Sequence, residues 1–336
     1  MPAHQGIHRP SAMGIIRTVL FLYVLSVHTA PLYAQGGEYI TDHKPTSVSE
    51  VDYIHDAVSR RVLNLANRLD YLFAEERVVE ENNESIVQVN VLTRYILDES
   101  PVLRLSLKGR LVLPYLEDRV QLIFDSADRE RDIKDDLRIT DVENEDERSL
   151  FTGLRYLAKE TKRSRISLDG GLRWRGGPVP FARVRGRRVM TFDPWIIRLT
   201  QTVFWFSDRG FGETTQLDFE RVLDDVHFFR ATPSATWSET TRGVDLRQRF
   251  TVFHQLAYER ILAADLDIQA HTRPTFQVDK YEFTLRYRRP FYRPWLLIEV
   301  APGIQFTREN NYDAAPMITL KSEILFGDVP RILRPF

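Results

Sequence analysis

From residue 85 onward, apolar and polar side chains alternate one for one, in run after run. The run from Val244 to Tyr258 sets Val244, Leu246, Phe250, Val252, Leu256 and Tyr258 on one parity. Asp245, Arg247, Arg249, Thr251 and Gln255 fall on the other. Successive side chains of a strand point to opposite faces, so this run predicts a strand with one greasy and one charged face. The same period places Leu103/Leu105/Leu107/Leu111 against Arg104/Ser106/Lys108/Arg110, and Tyr281/Phe283/Leu285/Tyr287 against Glu282/Thr284/Arg286/Arg288. Near the end of the chain Ile318/Leu320/Ile324/Phe326 oppose Thr319/Lys321/Glu323. Strands of a soluble sandwich usually have five or six residues, whereas these run about 10–15, the length that crosses a bilayer at a tilt.

Turn signals divide residues 85–326 into segments; they include Asp98-Glu99-Ser100-Pro101, Gly176-Gly177-Pro178, Ser207-Asp208-Arg209-Gly210 and Asp224-Asp225. The segments predict about fourteen antiparallel strands of an up-and-down barrel. The weakest two, 118–126 and 150–158, would leave twelve if lost. An even number brings both ends of a single-chain barrel to one side of the membrane. Trp174, Trp195, Trp205, Trp237, Tyr258, Tyr287 and Trp295 sit at strand ends, where interfacial girdles place aromatic rings.

Before residue 85 the period is that of a helix. Val51, Ile54, Val58, Val62, Leu65, Leu69 and Leu72 recur three and four apart behind a capping pair, Ser47 and Glu50. Residues 35–84 therefore read as a periplasmic amphipathic helix and an acidic linker, with Ile54, Val58, Val62, Leu65, Leu69 and Leu72 as its docking face. That face would settle on the barrel mouth, plug the lumen, self-associate as a coiled coil or hold a periplasmic partner. Residues 1–34 have the form of a secretory signal: Arg17, the apolar run Val19–Val27 and a small-residue cleavage position at Ala34. Residues 327–336 form a C-terminal tail.

Composition narrows the class. Lys and Arg total 46 against 47 Asp and Glu, a net charge of -1, so no bulk charge favours nucleic acid. The absence of cysteine excludes disulfides, thiolate metal sites and a Cys nucleophile. No apolar run reaches the roughly 18 residues of a spanning helix. With the signal, the dyad strands and the terminal strand Ile318–Phe326 ending in an aromatic residue, the chain resembles the outer-membrane β-barrel proteins of Gram-negative bacteria over residues 85–326. The resemblance implies an all-β transmembrane barrel in contact with outer-membrane lipid and lipopolysaccharide, inserted by the barrel-assembly machinery. In that family the terminal signal usually ends the chain, whereas here Gly327 to Phe336 follow it.

Chemistry is sparse. His254 has no serine on its strand, and His227 lies beside Asp224-Asp225; this is too little for a serine hydrolase, although a lipid-modifying enzyme stays a distant alternative. No metal-ligand spacing and no cofactor motif occurs. The stronger pattern is charge on the polar parity. Arg104, Lys108, Arg110, Arg165, Arg173, Arg175, Arg183, Arg185, Arg187 and Arg198 form a basic wall, and Asp218, Glu220, Asp265 and Asp267 stand on strands opposite. Such a transverse field orients polar solutes, which predicts a passive channel for small hydrophilic, anionic solutes. The competing expectation is a closed structural or envelope-assembly barrel in which the charges pair. The long acidic connection between Ser126 and Ser149 reads as a solvated outer loop, with a constriction or divalent-cation contacts to lipopolysaccharide phosphates as the alternatives.

Overall fold

The computed structural model describes residues 85–113, 119–126, 150–161, 163–174, 176–241, 243–257 and 260–327. The expected signal peptide, amphipathic helix, long acidic connection and most of the tail lie outside these residues.

The described chain forms fourteen strands: β1 (Ile86–Ile96), β2 (Val102–Val112), β3 (Val120–Asp125), β4 (Leu150–Glu160), β5 (Ser164–Trp174), β6 (Pro178–Phe192) and β7 (Trp195–Phe206), then β8 (Gly210–Val222), β9 (His227–Ser238), β10 (Asp245–Ala257), β11 (Arg260–His271), β12 (Gln277–Phe291), β13 (Arg293–Thr307) and β14 (Ala314–Gly327). Each pairs antiparallel with its neighbours in sequence. β1 closes on β14 through eleven consecutive residue pairs, from Ile86↔Gly327 to Ile96↔Met317. The twelve-strand alternative is excluded. Although β3 has only six residues, it is registered on both sides, Lys108↔Asp125 with β2 and Gln121↔Arg155 with β4. We call the end holding Ile86 and Gly327 the near end and the opposite one the far end.

The alternation in the sequence becomes inside and outside. Leu103, Leu105, Leu107 and Leu111 of β2 are exposed on the outer wall, as are Ile318, Leu320 and Phe326 of β14. Leucine and isoleucine displayed in rows around a closed sheet suit hydrocarbon; a barrel with no edge also leaves no backbone ladder unpaired there. Arg110, Arg155, Asp169, Glu220, Asp267 and Glu323 occupy the inner parity and are buried.

The interior is less uniformly polar than strict alternation predicts. Ile86, Leu157, Ile196, Phe228, Ile261, Leu297 and Leu325 point inward near the near end and are buried. The sequence places apolar doublets there, such as Ile196-Ile197, Phe228-Phe229, Ile261-Leu262 and Ile324-Leu325, so both faces of each strand are apolar at that level. Toward the far end a second apolar group forms inside. Phe181 lies 5.6 Å from Phe151 and 6.0 Å from Phe206, with Phe204 packed edge-on against Phe206.

One close approach is set by glycine. Gly153 and Gly171 face each other across β4 and β5, and a Cβ on Gly171 would fall 2.1 Å from the Thr152 carbonyl oxygen. Gly186 on the outer face of β6 has open space around the same position. Gly171→Val should therefore cost about 1–3 kcal/mol by overpacking, read as a lowered temperature of the heat-modifiable shift on gels, while Gly186→Val should leave that temperature unchanged.

Candidate functional site

The inner wall has two unequal halves. On β1 to β7, Arg104, Lys108, Arg110, Arg165, Arg173, Arg183, Arg185, Arg187 and Arg198 share the inward parity with Arg94 and Arg155. Three carboxylates accompany them on these strands: Asp125, Asp169 and, past the bulge at the end of β4, Glu160, which stands opposite Arg165 at 3.6 Å. Arg175 lies outside the described residues. On β8 to β14 the expected Asp218, Glu220, Asp265 and Asp267 point inward. They are joined by Glu299 and Glu323, and also by Arg230, Arg247, Arg249, Arg286 and Arg288. The first half is strongly basic and the second mixes both signs.

Pairing across adjacent strands organises these charges. Asp169 on β5 accepts two parallel hydrogen bonds from Arg155 on β4, at 2.8 and 2.9 Å, and another from Arg183 Nε on β6 at 2.9 Å. Register requires this, because Asp169 stands directly opposite both arginines. On the other side Asp267 takes Nε donors from Arg247 and Arg249, each at 2.8 Å. Asp265 binds Arg286 and the Thr251 hydroxyl. Arg288 bridges three strands, reaching Glu299 at 3.3 Å and Glu323 at 2.7 Å. Arg230 Nε lies 3.0 Å from Glu220. Two-pronged guanidinium–carboxylate contacts are the strong, oriented kind. Asp169, Arg155, Arg230, Arg286, Arg288 and Glu323 were not singled out from sequence as lumen residues. Their inward parity was legible, but their partners depend on the alignment between strands.

Accessibility sorts the basic wall by role. Arg110, Arg173 and Arg288 are at most 1% exposed. Arg173 donates to Asp208 in the β7–β8 turn and stacks 4.6 Å from the Phe206 ring centre, which makes it a staple of the far-end aromatic group. Arg185 and Arg187 are partly exposed on the inner face of β6, and Arg104 is exposed. Arg185 Nε donates to Thr202 at 3.2 Å.

At the near rim His227 and His254 come together. Their rings stack at 4.5 Å, with His254 Nδ1 2.9 Å from His227 Nε2 and His227 Nδ1 2.8 Å from Asp224. The backbone N–H of Val226, then the ring and N–H of His227, hold the exposed Asp224 carboxyl below the ordinary carboxylate range. This is an acid–imidazole chain on the outer face, but residues 222–229 and 252–256 contain no serine to serve as nucleophile. Among the described residues no group of three or more metal-binding side chains assembles.

No family model matches the chain, and no curated protein matches it. Among solved structures it is similar to the KdgM porin, with 8% identity over 71% of this chain and 99% of that one at a TM-score of 0.35. It is similar to the outer membrane channel DcaP of Acinetobacter baumannii, with 8% identity, 72% and 96% coverage and a TM-score of 0.40. It is also similar to a bacterial polysaccharide outer membrane secretin, with 11% identity, 73% and 99% coverage and a TM-score of 0.43. Superposition at this level leaves the assignment to the chain's own geometry. A closed fourteen-strand antiparallel sheet, apolar outside and ionic inside, is the architecture of the outer-membrane β-barrel class.

Removing the shared carboxylate tests the inner network. Asp169→Asn takes from Arg155 and Arg183 the charge that both grip, in a site where Arg155 and Asp169 side chains are 4% and 1% exposed. It should lower unfolding stability by about 3 kcal/mol in urea titrations of the refolded barrel, the usual cost of breaking a buried pair from one side.

Proposed function

We propose that the protein is a passive outer-membrane channel for small hydrophilic solutes, with a preference for anions. The observation that supports it is the imbalance of the inner wall. The first seven strands place eleven basic side chains inward with three carboxylates, Asp125, Asp169 and Glu160. A solute entering beside β6 meets the guanidinium groups of Arg185 and Arg187, two residues apart on one face and next to Arg183, which is held by Asp169. Across the lumen the mixed wall is near neutral. The resulting potential concentrates anions, and added salt weakens it as the Debye length shrinks. In this reading the near end faces the periplasm and residues 127–149 lie outside the cell. The barrel contacts outer-membrane lipid and lipopolysaccharide, is inserted by the assembly machinery through its terminal strand, and is not an enzyme.

Single-channel recording of the refolded protein in a planar bilayer tests the proposal. Anion-selective conductance at low salt is expected, and Arg185→Glu combined with Arg187→Glu should move the reversal potential toward cations. These two are chosen because they are partly exposed, unlike Arg173 or Arg198. A wild-type barrel silent at every salt concentration overturns the channel.

The inward apolar ring at the near end favours a second reading, in which the N-terminal segment closes the barrel. Ile54, Val58, Val62, Leu65, Leu69 and Leu72 form an apolar stripe that needs burial, and Ile86, Ile196, Phe228, Ile261 and Leu297, inward and buried at the near end, are apolar side chains of the kind it would pack against. Deleting residues 35–80 should raise conductance if that segment occludes the mouth. Unchanged conductance assigns the stripe to a periplasmic partner, and a barrel that no longer assembles contradicts both roles.

A further inference from the structure

The outer wall carries a hollow that neither the channel nor its closure uses. It has a volume of about 420 Å³ and is lined by Phe192, Trp195, Phe219, Phe229 and Phe250, with Ala231 among them. These residues come from β6 to β10, all on the outward parity, so the hollow opens sideways rather than into the lumen. Small Ala231 beside bulky rings leaves the concavity, and Trp195 and Phe229 meet edge-to-face at 6.3 Å to brace it.

One charged group stands at its edge. Arg221 is the next outward residue after Phe219 along β8 toward the near end, directly opposite Phe229 in register. Its guanidinium lies 5.6 Å over the Trp195 ring, and its Nε is buried without a hydrogen-bond partner among the described residues. The turn carboxylate of Asp224 is engaged by Val226 and His227 instead. A guanidinium on the lipid-facing wall is tolerated near the headgroups and costly deeper in hydrocarbon, and an oxyanion is its natural complement. Arg221 stands level with Trp195 and Phe229 at the rimward side of the hollow, and Phe219, Ala231 and Phe250 lie one step deeper, so a phosphate on the guanidinium would let an acyl chain continue along the apolar lining toward mid-strand.

We infer that this hollow is a specific phospholipid site, with one acyl chain against the aromatic lining and the headgroup phosphate on Arg221. The inference rests on the membrane-spanning reading, and its chemistry separates from that of the lumen because no residue is shared. The occupant is a lipid of the leaflet at the near end. A free phosphate would satisfy Arg221 but leave the hollow empty.

Native mass spectrometry of the full chain, refolded in detergent, tests the site with three probes: dioleoylphosphatidylglycerol, dioleoylglycerol and inorganic phosphate. The wild-type barrel should retain one phosphatidylglycerol, and Arg221→Gln should weaken that retention roughly tenfold while leaving dioleoylglycerol binding unchanged. Ala231→Trp, which fills the hollow, should abolish retention of both lipids. Arg221→Gln alone decides the matter if Ala231→Trp does not fold. Equal retention by wild type and Arg221→Gln overturns the site, as do binding of phosphate alone, no retained lipid, or a dimer joined through this wall. Heat-modifiability and conductance measured on the same samples keep the outcomes apart. A silent barrel that still holds lipid in an Arg221-dependent way rejects the channel and leaves the lipid site standing.

Discussion

The closing ladder between β1 and β14 is the constraint on which the rest depends. Hydrocarbon offers no hydrogen-bond partner, so a sheet can lie in it only if its first and last strands meet. Pairing from Ile86↔Gly327 to Ile96↔Met317 provides that, and the even strand count brings both ends of the barrel to one rim. Once the cylinder is closed, inside and outside are fixed for each residue by parity alone. Charged side chains then share one compartment, and whatever balance the sequence puts on that parity becomes a property of the lumen.

Within that compartment the ion pairs divide into supports and surfaces. Arg155 and Arg183 on Asp169, and Arg288 between Glu299 and Glu323, tie neighbouring strands together through side chains as the backbone does through amides. Such pairs fix relative strand position: a one-residue slip would send every member to the lipid face, where a buried charge is expensive. Arg185 and Arg187 sit where the wall is partly open. The same residue type is therefore buried as a fastener at some positions and left partly exposed at others, and accessibility rather than identity distinguishes the two.

Strand positions were legible because a period of two is a strong signal over about ten residues. Even the weakest segments, expected at 118–126 and 150–158, appear as Val120–Asp125 and Leu150–Glu160. β3 was weakest because six residues give barely three alternations. The inward parity of the basic residues could be read strand by strand, whereas Arg155 and Asp169 as partners could not, since that depends on registering β4 against β5 across a bulge near Leu157. The apolar doublets Ile196-Ile197 and Phe228-Phe229 were visible as breaks in alternation, and they mark where the lining changes from ionic to hydrocarbon. The His227–His254 contact was invisible because 27 residues separate the rings along the chain and a hairpin brings them together.

That change of lining also bears on the water in the lumen. Around Arg183 and Asp169 the wall is ionic, its donors and acceptors satisfied by one another. At the level of Ile196, Phe228, Ile261 and Leu297 it offers none. A solvated ion moving along the axis keeps its hydration shell only while the liquid column stays continuous, and a collar of hydrocarbon favours rupture of that column into vapour. At 2% exposure or less these side chains meet no liquid, so in the channel reading an ion could cross this level only by shedding part of its shell or after the collar had opened.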